Sequence, residues 1–537
     1  MATIDTRREQ MFPTLTAAEI DRLRRFGEIE RFAEGDYIVR AGEAGRGLTL
    51  ILDGQVRVTP HEQHRRDEVI VTYGPGSFMG ELAQLSGRPS LIDAVALGPV
   101  EAVALAPAGL REALVAEAET GEKIMRALIL RRVALLEQQV GGPVIVGDVA
   151  DRDVLRLENF LGRNGHPFHL IDDDETDAAA LMDKFHLTRA DLPIVICMDG
   201  SMLRNPSENA LARCIGLTRA IDQDKVYDVV IVGAGPAGLA AAVYATSEGL
   251  SVIVLDCRAF GGQAGASARI ENYLGFPTGI TGMSLMARAY NQAQKFGAEM
   301  AIPEEASSLG EDNGVYVFGL TGGQTVRARA AVIASGAEYR RLDVKSIADY
   351  EGSHVHYWAS PLEARLCAGQ EVALVGAGNS AGQAAVYLAS QVKKVWMIVR
   401  GKSLDATMSR YLCDRIAAQP NIAVLTETEV VALAGENGAL EEVTWRHAKG
   451  ETTCRRIRHL FLLIGAAPNT HWLAKSGIAL DAKGFVETQN LMTNKRGIFA
   501  IGDVRSGSVK RVAASVGEGA QVVAAIHSFL AESKGNA

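Results

Sequence analysis

The sequence predicts a multidomain chain. A small β-roll with flanking helices comes first, then a compact α/β unit, then two parallel-sheet α/β domains, one inserted into the other. Three observations carry this. The 537 residues are too many for a single core. Short alternating strands broken by glycine turns fill the first part of the chain. Two strand, glycine-turn, helix, strand segments follow, at 229–256 and 371–400. Hydrophobic content of 47% and charged content of 22% are those of a soluble globular protein. The net charge of −9, with no basic stripe, argues against nucleic acid as a partner. No apolar run reaches the length of a membrane span, and Met1–Arg8 lacks an apolar signal core, so a cytoplasmic chain with no membrane partner is expected. The six cysteines, Cys197, Cys214, Cys257, Cys367, Cys413 and Cys454, form no Cys-x-x-Cys, and no disulfide framework is expected.

In residues 10–140, glycine turns at Gly35, Gly42, Gly54, Gly74 and Gly76 punctuate the strands, and a helix with apolar residues at helical spacing closes the unit. Phe78-Met79-Gly80-Glu81-Leu82-Ala83 resembles the phosphate cassette of the cyclic-nucleotide-binding domain. The resemblance implies that Gly80, Glu81 and Leu82 form a nucleotide cassette, with Glu81 on the ribose and N–H groups on the phosphate. The family's phosphate-binding arginine is replaced by Ser90. Without that charge-assisted partner, tight cyclic-nucleotide binding is not expected, and a degenerate or repurposed sensor is favoured.

Residues 142–221 read strand (144–146), helix (151–162), strand (168–171), helix (177–185), strand (192–196), a further strand and a last helix (208–215). The order resembles the thioredoxin fold, with Pro193 where that family carries a cis-proline. The turn after the first strand, 147–152, holds no cysteine, so the fold's thiolate chemistry is expected to be absent and a docking role is the plain reading.

The run Val229–Val232 ends in Gly233-Ala234-Gly235-Pro236-Ala237-Gly238, continues as an Ala-rich helix, and returns as a strand ending on Asp256. This is a Rossmann-like dinucleotide fingerprint. Gly233 makes the tight turn, Gly235 admits a pyrophosphate, Gly238 lets helix and strand pack, and Asp256 holds a ribose. From here on the chain resembles the thioredoxin reductase family. Gly262, Gln263 and Asn272 match its flavin loop, and Gly502-Asp503 with Arg511-Val512-Ala513 match its second FAD signature. The resemblance implies an FAD-binding domain over 226–342 and 463–537. A second fingerprint, Gly376-Ala377-Gly378-Asn379-Ser380-Ala381, leads to a strand ending on Arg400, with Lys402 beyond, in an NAD(P)H-binding domain over 343–462. Gly465 falls in the strand returning to the FAD domain. Arginine rather than an acid at the second strand's end favours NADPH, with NADH the alternative.

Where thioredoxin reductases carry their Cys-x-x-Cys, this chain has Trp358-Ala359-Ser360-Pro361. No catalytic residue is therefore assigned. Three readings stay open. The chain passes hydride from NADPH to FAD and on to an external acceptor, a small redox protein or a quinone-like molecule. It reduces disulfides such as thioredoxin's with cysteines the sequence does not place. Or it is a regulatory, redox-sensing flavoprotein with little turnover. The family resemblance also implies a homodimer.

Overall fold

The computed structural model describes residues 7–535, apart from 44, 61–68, 81–84, 86–88, 139–141, 198, 219–220, 352 and 437. Among the described residues the first unit is a pair of four-stranded antiparallel sheets. One runs in the order Glu28–Phe32, Val100–Leu105, Leu48–Asp53, Phe78–Met79; the other runs Tyr37–Val39, Ile92–Ala96, Val56–Pro60, Val71–Tyr73. Alternation decides the faces: Ile38, Ile51, Val56, Val58 and Ala94 point into the roll. Leu48, Leu50 and Val103 pack outward onto the helices Pro107–Ala116 and Ala118–Gln138.

In the second unit the strands lie in the order His169–Ile171, Val144–Val146, Ile194–Ile196, Met202–Arg204, the first pair parallel and the others antiparallel. The Leu192–Pro193 bond is cis. The helices Arg152–Arg163 and Glu208–Cys214 bury Leu157, Phe160, Leu161 and Leu211 against Ile145 and Val195. One expectation is corrected here. Cys197, just past the central strand, and Cys214, at the end of the last helix, form a disulfide with Cα atoms 5.6 Å apart. Their sequence separation of 17 hides the pairing, because the fold, not a local motif, brings strand end and helix end together.

In the third unit a parallel core of Glu299–Ala301, Val252–Leu255, Val226–Val232 and Thr325–Ile333 extends into an antiparallel hairpin, with Ile498–Ala500 parallel to Thr325–Ile333. Strands buried on both faces need continuous apolar runs, as Val229–Val232 is. Inserted between Ile333 and Ile498 is a second parallel sheet: Val355–His356, His459–Leu462, Glu371–Val375, Lys394–Ile398, Ile422–Leu425. The two connecting strands, Ala337–Tyr339 and Ala466–Pro468, pair antiparallel and so fix where one α/β body meets the other. On adjacent strands of the inserted sheet, His356 Nε2 lies 3.1 Å from His459 Nδ1, and the His354 ring meets His459 edge-on. Burial pushes both rings down, His356 well below the ordinary imidazole value and His459 to about 4, with neighbouring imidazoles adding to the shift.

Candidate functional site

Both glycine turns open onto one cavity of about 1270 Å³. At the end of Val226–Val232, Gly233 has φ +113°, and a Cβ there would stand 2.1 Å from the Ala334 carbonyl oxygen. Only glycine makes this turn. A Cβ at Gly238 would meet the Gly233 oxygen at 1.8 Å, so that glycine packs helix on strand and does not line the cavity. Gly235, Pro236 and Ala237 do line it, at the first turn of Pro236–Ser247, where leading N–H groups have no intrahelical acceptor.

Asp256 sits on the same wall. One carboxylate oxygen accepts from the Ala234 N–H (2.9 Å), the other from those of Arg258 and Ala259 (3.1 and 3.2 Å). Burial still outweighs these bonds and raises its carboxyl, with the Arg163 guanidinium acting in the opposite sense. Gly262, Gln263 and Asn272 lie along the floor, and the Gln263 amide donates to the Ala337 carbonyl at 2.5 Å, tying this loop to the connecting strand. Across from them, Asp503, Arg511, Val512 and Ala513 line the cavity at the start of the helix Val512–Gly535. Burial raises the Asp503 carboxyl while Lys510 acts to lower it. Gly502 is turned away, its N–H held by Glu518 at 2.6 Å. Lys510, which the sequence reading missed, also lines the cavity and donates to the Asp503 carbonyl. Its only sequence signal is its place beside Arg511.

On the inserted body, Gly376, Gly378, Asn379 and Ser380 face the cavity, while Ala381 is buried in the core beneath. The Asn379 side chain is committed to the Ser409 N–H (2.7 Å), bracing the loop that follows Arg400. Arg400 lies exposed on the rim; Lys402 is exposed and does not line the cavity; Gly465 lines it at the connecting strand. Trp358 and Ala359 also line the cavity. Arg415 of the inserted body and Glu271, beside Asn272, form an ion pair at 2.5 Å. The residues fit two dinucleotides: open glycine backbone at Gly235 and Gly378, a helix start behind each turn, an acid on one side and an arginine on the other.

Of the remaining cysteines that could meet this cavity, Cys367 is fully buried and its thiol donates to the Glu363 carbonyl (3.0 Å). Burial pushes the Cys367 thiol up to about 12, so it supplies no thiolate at neutral pH, and the exposed Cys257 does not line the cavity.

The second unit touches the site directly. Arg163 Nη2 donates to the Gly262 carbonyl (3.1 Å), with its guanidinium carbon 5.8 Å from the Trp358 ring. Asn164 Nδ2 donates to the Arg258 carbonyl (3.1 Å), and Arg258 pairs with Glu208 at 2.9 Å. One step further back, Arg132 of the first unit donates to the Gly165 carbonyl at 2.9 Å. In the cassette Gly80 has φ +143°, whereas Glu81 and Leu82 lie outside the described residues. Ser90 is 1% exposed, and its hydroxyl donates to the Ile92 carbonyl and accepts from the Ile92 N–H.

Against known proteins, the pyridine nucleotide-disulphide oxidoreductase family matches residues 227–519, and the cyclic nucleotide-binding domain matches residues 29–117. The thioredoxin reductase of Bacillus subtilis (strain 168) is 32% identical over 314 residues, covering 58% of this chain and 97% of that protein. NADPH-dependent thioredoxin reductase 3 of Arabidopsis thaliana is 33% identical over 307 residues, covering 55% of this chain and 56% of that protein. Among solved structures, T. acidophilum thioredoxin reductase aligns with a TM-score of 0.54 at 30% identity, covering 57% of this chain and 99% of that one. Among the described residues no helix is long and apolar enough to cross a membrane.

Proposed function

Because the chain belongs to the pyridine nucleotide-disulphide oxidoreductase family, as a thioredoxin-reductase-like flavoprotein fused to a cyclic nucleotide-binding domain, we propose that it oxidises NADPH and delivers the electrons to an external acceptor without an internal Cys-x-x-Cys. The observation that carries this reading is the cavity shared by both glycine turns, lined also by Trp358 and Ala359 and by no cysteine among the described residues. Bound FAD supplies the two-electron chemistry between hydride donor and acceptor. The Gly233–Gly238 turn and Asp256 hold its adenosine half; Asp503 and the helix start at Arg511–Ala513 hold the other end. The Gly376–Ala381 turn seats the nicotinamide cofactor, and Arg400 favours its 2′-phosphate over a bare ribose. Trp358 keeps water from the meeting point of the two.

One observation favours a second reading, disulfide reduction. The Cys197–Cys214 pair lies in the unit whose Arg163 touches both the flavin loop and Trp358. In that reading two electrons and two protons convert the disulfide to a dithiol. Anaerobic NADPH titration separates the two. Uptake of two electrons per flavin, with steady ferricyanide or quinone reduction, supports the first reading. Uptake of four, returning to two in the Cys197→Ser/Cys214→Ser double variant, establishes the second. Two-electron uptake with negligible turnover on every acceptor leaves the regulatory flavoprotein. A homodimer through the FAD-binding unit is proposed with it and is read by light scattering.

A further inference from the structure

The β-roll holds a cavity of its own, with a volume of about 70 Å³. Its wall is almost wholly apolar, formed by side chains such as Phe12, Val58, Tyr73, Met79 and Ile92. One charge enters it. Arg131, in the middle of the helix Ala118–Gln138, is 6% exposed and lines the cavity.

Three of its directions are taken. Nε donates to the Met11 carbonyl (2.8 Å), and Nη1 donates to the carbonyls of Phe78 (3.1 Å) and Gly80 (3.0 Å). The guanidinium carbon stands 5.3 Å from the Phe12 ring, 5.4 Å from Tyr73 and 4.6 Å from Phe78. The two N–H donors of Nη2 are left open: Nη2 is buried and has no hydrogen-bond partner, and no carboxylate pairs with Arg131 among the described residues. An arginine keeps its charge at any pH the folded chain meets. A buried cation with an idle donor and no counter-ion among the described residues is costly, and such a group ordinarily pairs with an anion.

Among the described residues of this wall no carboxylate stands ready for a ribose. The Ser90 hydroxyl is spent on Ile92, and the cavity is far below the roughly 300–1,000 Å³ of pockets that enclose drug-sized ligands. A small body that is apolar at one end and anionic at the other satisfies every feature present.

We propose that this cavity binds a small carboxylate with an apolar body, its carboxylate accepting from Arg131 Nη2 and its hydrocarbon packed against Phe12, Tyr73 and Ile92. The carbonyls of Met11, Phe78 and Gly80 hold the guanidinium aimed into the cavity, so the donor is oriented before the ligand arrives. Charge comes from the helix side of the roll, where a cyclic phosphate's partner would come from the cassette.

The test uses the full-length flavoprotein and calorimetric titration with benzoate, phenylacetate and hexanoate, each beside its neutral amide. At least one carboxylate is expected to bind, and to bind at least tenfold more tightly than its amide. Arg131→Met is expected to abolish that binding. Because this variant also removes three carbonyl contacts and can unfold the roll, Ala134→Phe serves beside it. Ala134 lines the cavity one helical turn away, is 5% exposed, and leaves the guanidinium in place. It is expected to abolish binding while flavin content and NADPH oxidation stay unchanged. The proposal is overturned if no carboxylate binds, if amides bind equally well, if binding survives in Ala134→Phe, or if cAMP binds more tightly than every carboxylate.

Discussion

Arg400 stands free on the cavity rim, with no ion pair to a described residue, and that freedom is what a phosphate-reading arginine needs. A charge-assisted contact of about 1.5–3 kcal/mol corresponds to roughly 10- to 100-fold in affinity. Arg400→Leu is therefore expected to lower kcat/KM for NADPH by a factor in that range while leaving NADH nearly unchanged. Steady-state rates with both donors check it; equal losses on both would assign Arg400 to general binding or to folding. Asn379 teaches a different lesson at this scale. It lines the cavity, as its position in the fingerprint suggests, and its amide oxygen also accepts from the Ser409 N–H, bracing the loop that carries the rim.

Among the elements, the strand pair Val355–His356 and His459–Leu462 carries a pH response. In the folded chain burial keeps His459 neutral down to about pH 4. In the unfolded chain an imidazole takes up its proton near pH ~6.5. Below that pH the unfolded state binds more protons, so stability is complete above about pH 6.5 and falls as the pH drops, by about 1.4 kcal/mol per pH unit for this ring. Unfolding curves of the wild type are expected to weaken steadily from pH 6.5 to 4.5, and His459→Phe to flatten that decline; parallel curves would refute it. The elements themselves are the most legible part of the chain. Each glycine turn keeps strand, turn, helix and closing residue contiguous, so the sequence displays the whole unit, and Gly233 and Gly238 stand where backbone atoms leave no room for a Cβ. What stays hidden is whatever two distant segments make jointly. The Cys197–Cys214 bond, the commitment of Gln263 to Ala337, and the entry of Arg131 into the roll each depend on where a fold places two pieces of chain. No local pattern encodes them.

For the whole molecule, the second unit acts as a brace between the roll and the flavin loop. Arg163→Met deletes the hydrogen bond to Gly262 and the contact with Trp358 but keeps a long apolar stem. Losing about 1.5 kcal/mol from the loop predicts a roughly tenfold rise in the flavin dissociation constant. Flavin retention on dialysis, followed by absorbance, measures this; retention equal to wild type would mean the loop holds its shape unaided. Three contacts along this brace, Arg132 to Gly165, Asn164 to Arg258 and Arg163 to Gly262, end on main-chain carbonyls. A carbonyl carries no proton to lose in this range and no net charge for salt to screen, and a substitution at its own residue leaves it in place. These three joints are thus built to ignore acidity and ionic strength, whereas the Arg258–Glu208 ion pair beside them is open to screening by salt.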